Sequence, residues 1–449
     1  MNIKRNAYQK LSQWKSSKDR KPLLIRGARQ VGKTTLVRTF SREFFNYIEL
    51  NLEKKSDKKL FEIEDVRTLF NAVCLYKKVN RIDKPTLLFI DEIQESPTAI
   101  KMLRYFYEEL PDIFVIAAGS LLEFAFNKVS NFPVGRIDYL FMSPLNFQEY
   151  LGAMENLQAV ETINTIPVPE HAHSILLNLF HQYAIIGGMP QIVSRYLQSN
   201  NMINLSAGYN KLWQSFKDDV KKYGKNETER KIIRHVIESA PSQNDRIKFE
   251  GFGNSNYRSR EVGEALRALD LSKIIQLIYP GTILKPPIVT DFNKRPRLQF
   301  LDTGLLNHAL QVQVELFTLA DMDDFYRGKI IQHLVTQELI SVHDQIAYKP
   351  HFWVRQEKDS NSEVDLIYHY QKYLFPIEIK SGSTGALRSL HQFVERTNHP
   401  YALRVYSGPF RIEKSKTAKG IPYILMNLPY YLGTKIPDYI KFLIEKYKL

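Results

Sequence analysis

One segment of the chain has the residue types and the spacing that hold phosphate groups. It reads GARQVGKTT and fits the pattern G-x-x-x-x-G-K-[ST]. In such a segment, backbone N–H groups surround the phosphates, the lysine reaches the outer phosphates and the hydroxyl binds Mg²⁺. The pattern predicts ATP and Mg²⁺ as cofactors, with Lys33 on the phosphates and Thr34 on the metal. The predicted nucleotide-binding residues are Gly27, Ala28, Arg29, Gln30, Val31, Gly32, Lys33, Thr34 and Thr35.

A second segment supplies the carboxylates that hydrolysis of a nucleotide phosphoanhydride needs. The run LLFIDE consists of four apolar residues followed by Asp91 and Glu92. An apolar strand of this kind is buried, and ligands bind at the carboxyl ends of parallel strands. We therefore expect Asp91 to hold Mg²⁺ and Glu92 to polarise the attacking water.

Two further polar residues follow apolar or turn segments in the same part of the chain. Ser120 comes directly after the apolar run Ile113–Ala118 and Gly119, where its hydroxyl can orient water. Arg136 follows a Pro-Val-Gly turn and is a candidate to contact the outer phosphate. It can act within its own chain, or on a neighbour if subunits pack in a ring.

The elements that must position these side chains alternate between strands and helices. Short apolar runs lie in KPLLIRG, FNYIELNL, KPTLLFIDE and DIFVIAAGS, with amphipathic segments at 34–45 and 98–110. Buried strands separated by helices predict a parallel α/β sheet. Residues 151–220 have helical patterns that break at the Gly-Gly-Met-Pro of 187–190.

The middle of the chain predicts a different arrangement. Helical patterns at 227–239 and 259–270 precede a strand pair, SKIIQLIYP and RLQFLD. Helices followed by a β-ribbon favour a winged helix-turn-helix, in which the second helix approaches the DNA major groove. Basic residues concentrate here, as phosphate contacts require. They are Lys217, Lys221, Lys222, Lys225, Arg230, Lys231, Arg258, Arg260, Lys294, Arg295 and Arg297.

Residues 1–200 resemble an AAA-type P-loop ATPase of the bacterial and archaeal branch related to origin-binding and signal-transducing ATPases. The segments that match are GARQVGKTT, LLFIDEIQ, AAGS, FPVGRIDYLFMSPLNFQEYL and IIGGMPQIV. The resemblance continues into a C-terminal portion of unassigned function through DTGLLNHAL, GKIIQHLVTQEL, SEVDLIYHY and FPIEIKSG. It implies ATP hydrolysis for the first half and no defined activity for the second.

The C-terminal portion contains a second group of acidic and basic residues. Glu378 and Lys380 are two residues apart on a predicted strand and share a face, and Asp365 on the preceding strand can join them. This resembles the D…E-x-K core of restriction-endonuclease-like nucleases, with Mg²⁺ or Mn²⁺ as a second cation and Glu338 as an additional ligand. That family pattern has an acid near position 332, where this chain has Gln332. A nuclease, a fold retained for DNA binding and ordinary surface charge stay open as alternatives.

The charge of the chain is consistent with a polyanionic partner. The formal net charge is +14 over 449 residues. Residues 201–300 carry 18 Lys and Arg against 11 Asp and Glu, whereas residues 301–400 carry 9 against 13. We expect DNA as a partner of the basic segment. The single cysteine, Cys74, is expected in a core, and apolar runs far below about 18 residues predict a cytoplasmic protein without membrane spans.

These observations predict four parts: an ATPase core at 1–150, a helical lid at 151–222, a winged helix at 223–315 and a restriction-endonuclease-like domain at 316–449. The function we expect is ATP hydrolysis coupled to DNA binding or remodelling, with a nuclease site as an addition. A nucleotide-controlled switch whose C-terminal part only binds a partner is one alternative. A branched-DNA motor without cleavage is the other.

Overall fold

The computed structural model describes residues 3–79, 83–120, 122–123, 132–243, 246–313, 324–343, 348–355, 362–382 and 386–447. The chain divides into two units. Unit 1 is built on Met1–Pro144, and unit 2 on Leu145–Asp270, Ile274–His343 and Tyr348–Leu449. The predicted division into four parts remains a prediction, and its boundary between residues 315 and 316 lies outside the described residues.

Unit 1 contains a five-stranded parallel sheet, as the alternation of strands and helices predicts. Its strand order is β2-β3-β4-β1-β5. All six residues of β3 are buried, which is typical of a strand covered on both faces. The strands are β1 (Leu23–Arg26), β2 (Asn46–Asn51), β3 (Thr86–Asp91), β4 (Phe114–Gly119) and β5 (Asp138–Phe141).

The helices of unit 1 pack their apolar faces on this sheet. Two of them begin at a side-chain cap, because Asp65 accepts from Thr68 N at 2.7 Å and Ser96 accepts from Ala99 N at 3.2 Å. Cys74 is 3% exposed and belongs to the core, as predicted. The helices are α1 (Asn6–Ser16), α2 (Lys33–Phe40), α3 (Lys55–Leu60), α4 (Val66–Lys77) and α5 (Pro97–Glu109).

Unit 2 begins with helices, which confirms the helical character of 151–220 and the break at Gly187–Met189. Asp302 holds that break, since its carboxylate accepts from Gly188 N and also from Leu305 N at the start of the helix Thr303–Ala309. The helices are α6 (Phe147–Ala153), α7 (Leu157–Asn164), α8 (His173–Ile186), α9 (Pro190–Ser199), α10 (Ser206–Tyr223), α11 (Glu227–Ser239), α12 (Ser259–Leu271), α13 (Thr303–Ala309), α14 (Asp324–Ser341), α15 (Arg388–Val394) and α16 (Ile436–Lys446).

The strand pair expected after α12 is present. Strand β6 (Ile275–Ile278) pairs antiparallel with β8 (Arg297–Phe300), with Ile275 opposite Phe300. Two helices followed by such a ribbon are the elements that the sequence predicts for this part of the chain. Their identification as a winged helix remains a prediction.

The rest of unit 2 is a seven-stranded mixed sheet in the order β13-β14-β12-β11-β10-β9-β7. Strands β10 and β11 are antiparallel, with Leu366 opposite Ile377. The strands are β7 (Pro280–Gly281), β9 (His351–Val354), β10 (Glu363–Tyr370), β11 (Tyr373–Ile379), β12 (Tyr401–Tyr406), β13 (Arg411–Lys416) and β14 (Pro422–Pro429). Within the described parts of the chain, no helix is both long and apolar enough to cross a membrane.

Candidate active site

The predicted phosphate loop connects β1 to α2, at the carboxyl edge of the parallel sheet. Its first residue must be glycine, because the backbone has φ +149° and a Cβ there would lie 2.2 Å from the carbonyl oxygen of Met142. Gly32, at the other end of the loop, also has a positive φ. The loop thus turns sharply into the N-terminus of α2, where backbone N–H groups and the helix dipole favour an anion.

Lys33 is a buried cation in this loop. Its side chain is 8% exposed, and Nζ donates to the carbonyl oxygens of Gly27 at 3.0 Å and Ala28 at 2.8 Å. Burial lowers the pKa of the Lys33 ammonium to about 8, although Glu92 and Asp91 oppose that effect. A buried ammonium bound by neutral carbonyls is a suitable partner for the outer phosphates of a nucleotide.

Thr34 and Asp91 lie in direct contact. Thr34 Oγ1 donates to Asp91 Oδ2 at 2.8 Å, and Asp91 Oδ1 accepts from Glu92 N at 3.0 Å. Burial raises the pKa of Asp91. The hydroxyl and the carboxylate are the oxygen donors that Mg²⁺ takes beside a phosphate loop. The residues present here therefore fit ATP with Mg²⁺.

Glu92 stands at a left-handed backbone position, with φ +54°. Its Oε2 accepts a hydrogen bond from Gln94 Nε2. The sequence alone does not predict a role for Gln94, because an amide two residues after a glutamate is a weak signal on its own. The contact holds the carboxylate that we expect to act on water.

Ser120 lies at the same edge of the sheet, directly after β4. It is 5% exposed, and among the described residues its hydroxyl has no hydrogen-bond partner. Gln94 reaches the same place, since a Cβ on Gly119 would lie 2.4 Å from Gln94 Oε1. A buried hydroxyl without a described protein partner, at the same edge of the sheet as a held carboxylate, is suited to bind substrate oxygen or water.

The structure gives other surroundings to three residues that the sequence assigns to the nucleotide site, Arg136, Arg29 and Thr35. Arg136 Nε donates to Glu108 at 3.1 Å on α5, so its described contact is not with the loop or with Asp91. Arg29 lies 3.7 Å from Glu53. Thr35 is exposed in the first turn of α2. The structure therefore brings together Lys33, Thr34, Asp91 and Glu92. It places Ser120 at the end of the neighbouring strand β4 and leaves Arg136 outside the group.

A comparison with protein families matches the part of the chain that contains this group of residues. Residues 19–151 match the family described as an AAA domain. This part of the chain is thus an AAA-type P-loop ATPase domain, as the resemblance in the sequence implies. Residues 177–315 and 327–426 match two families that are described only as domains of unknown function. No match was found among curated proteins.

Two solved structures overlap with much of the chain at low identity. A Walker-type ATPase of Pyrococcus abyssi is 15% identical, with 69% of this chain and 96% of that chain covered and a TM-score of 0.45. The Aeropyrum pernix ORC1 protein in complex with DNA is 11% identical, with 70% and 92% covered and a TM-score of 0.28. At these scores neither likeness bears on the function of this chain.

The second predicted site lies in unit 2, away from the AAA-type domain in sequence. Lys380 Nζ donates to Glu378 Oε1 at 2.8 Å, and Asp365 Oδ2 accepts from Ile379 N at 2.8 Å. Burial and the charge of Asp365 raise the pKa of Glu378. The structure thus brings Asp365, Glu378 and Lys380 together, as the strand spacing predicts.

The surroundings of Asp365 do not fit a divalent cation. Its Oδ1 accepts from the Gln332 amide at 3.2 Å and lies 3.6 Å from an Arg297 nitrogen. Arg297 also pairs with Glu363, which Arg246 approaches at 3.5 Å. The carboxylates of this cluster are therefore already neutralised by arginines and Lys380. Within the described residues, no group of three His, Cys, Asp or Glu side chains can hold a metal ion.

Glu338 does not join this cluster, contrary to the expectation that it adds a metal ligand. Its carboxylate accepts from Phe147 N at 3.0 and 3.2 Å and contacts the Tyr183 hydroxyl at 2.8 Å. Burial raises the pKa of Glu338 to about 8, with Glu149 adding to the effect. The hydroxyl of Tyr183 also contacts the carbonyl oxygen of Leu145 at 2.8 Å. Because that hydroxyl has one proton, a protonated Glu338 lets both contacts be hydrogen bonds.

This arrangement predicts that unit 2 becomes less stable as the pH rises. The native state keeps a proton on Glu338 up to about pH 8, whereas the unfolded chain loses it near its ordinary value of 4.5. The free energy of unfolding should fall by roughly 2–3 kcal/mol between pH 6 and pH 8.5. Glu338→Gln keeps the contacts without titrating, so it should flatten this dependence. Urea unfolding followed by circular dichroism measures both proteins, and equal slopes would contradict the assignment.

Proposed function

We propose that the chain hydrolyses ATP with Mg²⁺ at the edge of the unit 1 sheet and couples hydrolysis to DNA binding through unit 2. The observation that carries the first part is the 2.8 Å contact between Thr34 and Asp91 beside a buried Lys33. A hydroxyl, a carboxylate and an ammonium at one loop are the set that binds Mg²⁺ and phosphates.

Each residue has a role that follows from its contacts. Lys33 binds the outer phosphates, and Thr34 with Asp91 would hold Mg²⁺, which neutralises charge on the phosphates when bound. Glu92, held by Gln94, orients the attacking water and accepts its proton. Ser120 donates to the reacting oxygen or to that water. Arg136 acts on a neighbouring chain's nucleotide if the protein forms a ring, since its own contact is with Glu108.

The support for DNA lies in the basic side chains of unit 2. Lys221, Lys225, Lys231 and Arg258 are exposed, and none of them has an ion-pair partner within the described residues. By contrast, Lys217 pairs with Glu238 at 2.9 Å. Unpaired exposed cations are free to contact backbone phosphates. Lys231 lies on α11, and Lys225 and Arg258 lie just before α11 and α12. These two helices would act with the ribbon as a winged helix.

The cluster around Asp365 supports a role in binding or folding over cleavage. Arg297 and the Gln332 amide occupy one oxygen of Asp365, and the charges balance without a cation. We therefore expect this domain to be nuclease-like in its residues and not to cut DNA. Metal-dependent cleavage with Mg²⁺ or Mn²⁺ is the alternative that remains to be tested. A cytoplasmic location agrees with ATP hydrolysis and with DNA binding.

The test is the rate of ATP hydrolysis without DNA and with blunt duplex, single-stranded, tailed and four-way-junction DNA. We expect at least one DNA structure to raise the rate by about fivefold or more, the range of ordinary coupling energies. The triple variant Lys221→Gln/Lys225→Gln/Lys231→Gln should need more DNA for half-maximal stimulation at an unchanged basal rate. The same reactions should show no nicked or shortened DNA with either metal.

A matched control replaces three exposed lysines of unit 1, Lys55, Lys58 and Lys59, by glutamine. It should respond to DNA like the wild type. A rate that is indifferent to every DNA structure would favour the nucleotide-controlled switch instead. Strong stimulation by the junction alone would favour a branched-DNA motor, and cleavage products would reinstate the nuclease.

A further inference from the structure

A surface pocket in unit 2 lies apart from both groups of residues described above. Its volume is about 340 Å³, at the small end of the range of about 300–1,000 Å³ for ligand pockets. Aromatic and basic side chains line it together. They are Phe249, Tyr279, Phe292, Lys248, Lys294 and Arg295.

The aromatic part of the pocket is built around Phe292. This side chain is 73% exposed, and its ring centroid lies 5.0 Å from that of Tyr279 at an interplanar angle of 63°. Backbone contacts fix the residues on either side, since Asp291 N donates to Pro280 O at 2.9 Å and Asn293 N donates to the Asp291 side chain at 3.0 Å. A large apolar ring is thus presented to solvent by an ordered turn.

The basic part of the pocket is available for an anion. Lys248, Lys294 and Arg295 form no ion pair with any residue that the structure describes, whereas Arg297 pairs with Glu363. Glu250 is the carboxylate among the lining residues, so the lining has an excess of positive charge. Two of the segments that line the pocket, 247–250 and 292–296, are joined by a backbone hydrogen bond, in which Ile247 N donates to Pro296 O at 2.9 Å. The cations and the rings therefore line one pocket together.

We propose that this pocket binds an unstacked base of single-stranded DNA, with Phe292 on the base and the three cations on the flanking phosphates. The combination of an exposed ring with unpaired cations is what single-strand sites use. Bases inside a duplex are covered by their neighbours and cannot stack on a side chain. The inference rests on the proposed coupling to DNA and names the form of DNA that this surface selects.

The experiment measures fluorescence anisotropy of the full chain with labelled strands of about 15 nucleotides, near the upper end of single-strand site sizes. One probe is oligothymidylate, and the second is an abasic strand with the same phosphates. Phe292→Ala should weaken binding to oligothymidylate by about 5- to 150-fold and leave the abasic strand unaffected. Val289→Ala, at a 52% exposed position of the same segment, is the matched control and should change neither.

The cations are tested by the salt dependence of the same binding reactions. Arg295→Gln should weaken binding to both probes and reduce the slope of log K against log[salt] by about 0.7, the value for one single-strand phosphate. Lys285→Gln, an exposed lysine of the same segment that does not line the pocket, should leave the slope unchanged.

The outcomes separate this inference from the proposed function. If the wild type binds DNA but does not distinguish oligothymidylate from the abasic strand, the pocket assignment is overturned and the coupling to DNA stands. The same holds if Phe292→Ala weakens both probes equally. If the wild type binds neither single strand, the pocket assignment fails. The coupling to DNA fails as well only if duplex, tailed and junction DNA also leave the ATPase rate unchanged. Tighter binding of a uridine RNA strand of equal length would overturn the choice of DNA.

Discussion

Replacing Lys33 by alanine is expected to lower ATP turnover by about 100- to 1,000-fold, the usual cost of removing one preorganised charge from a reacting centre. The ammonium is buried, and Gly27 and Ala28 carbonyl oxygens hold it in the loop that turns into α2. Without it, the negative charge that develops on the outer phosphates loses the cation that the loop supplies. The affinity for ATP should fall as well, because the same group binds the ground state.

Steady-state hydrolysis and binding of a fluorescent ATP analogue measure the two effects separately. The matched control is Lys59→Ala, an exposed lysine of unit 1 whose removal should leave both quantities unchanged. Thermal unfolding of the variant checks that the loop still folds without its buried ammonium. A folded Lys33→Ala protein with unchanged turnover would refute the assignment of the site.

The sequence was sufficient for the parts of this site that are contiguous. The phosphate loop is one run of residues, and Asp91 with Glu92 ends one apolar strand, so each side chain is placed by its own neighbours. The parallel sheet then aligns β3 and β4, with Ile90 opposite Ala117, and brings Ser120 to the same edge. Local pattern and sheet geometry together predict this arrangement. Strand β5 escaped prediction because only one of its four residues, Leu140, is buried.

Contacts between distant segments could not be predicted in this way. Arg297 reaches Glu363 and Asp365 from a strand more than 60 residues earlier, and no motif marks that pairing. The charge excess of residues 201–300 was expected to meet DNA, yet Arg297 and Arg246 neutralise carboxylates of the acidic segment instead. Net charge by segment does not reveal which charges meet inside the fold.

The surroundings of Glu338 depend on which side of its helix faces the strands. Gln332 and Glu338 both lie on α14, six residues apart, so their side chains point about 120° apart around the helix axis. Gln332 contacts Asp365, and Glu338 therefore faces a different neighbour, the backbone of Phe147. A sequence pattern places both residues on one helix but does not determine which one meets the strand.

Glu92→Gln is expected to lower the rate of ATP hydrolysis by about 100- to 10,000-fold, the range for loss of a general base, while ATP still binds. The amide keeps the size of the side chain and can still accept from Gln94, so the loop and the Thr34–Asp91 contact should persist. It cannot take a proton from water. The ATP-bound state should therefore accumulate, which Lys33→Ala does not allow.

That difference makes Glu92→Gln the sharper test of coupling. If unit 2 responds to the nucleotide, the Glu92→Gln protein should bind DNA with different affinities in the presence and in the absence of ATP. The difference should persist, because this variant should consume the bound ATP only slowly. Gln94→Ala, which releases Glu92, should lower turnover by only about fivefold, the value of one hydrogen bond. Glu64→Gln, an exposed carboxylate of unit 1, is the control. Equal DNA affinity with and without ATP would refute the proposed coupling between ATP hydrolysis and DNA binding.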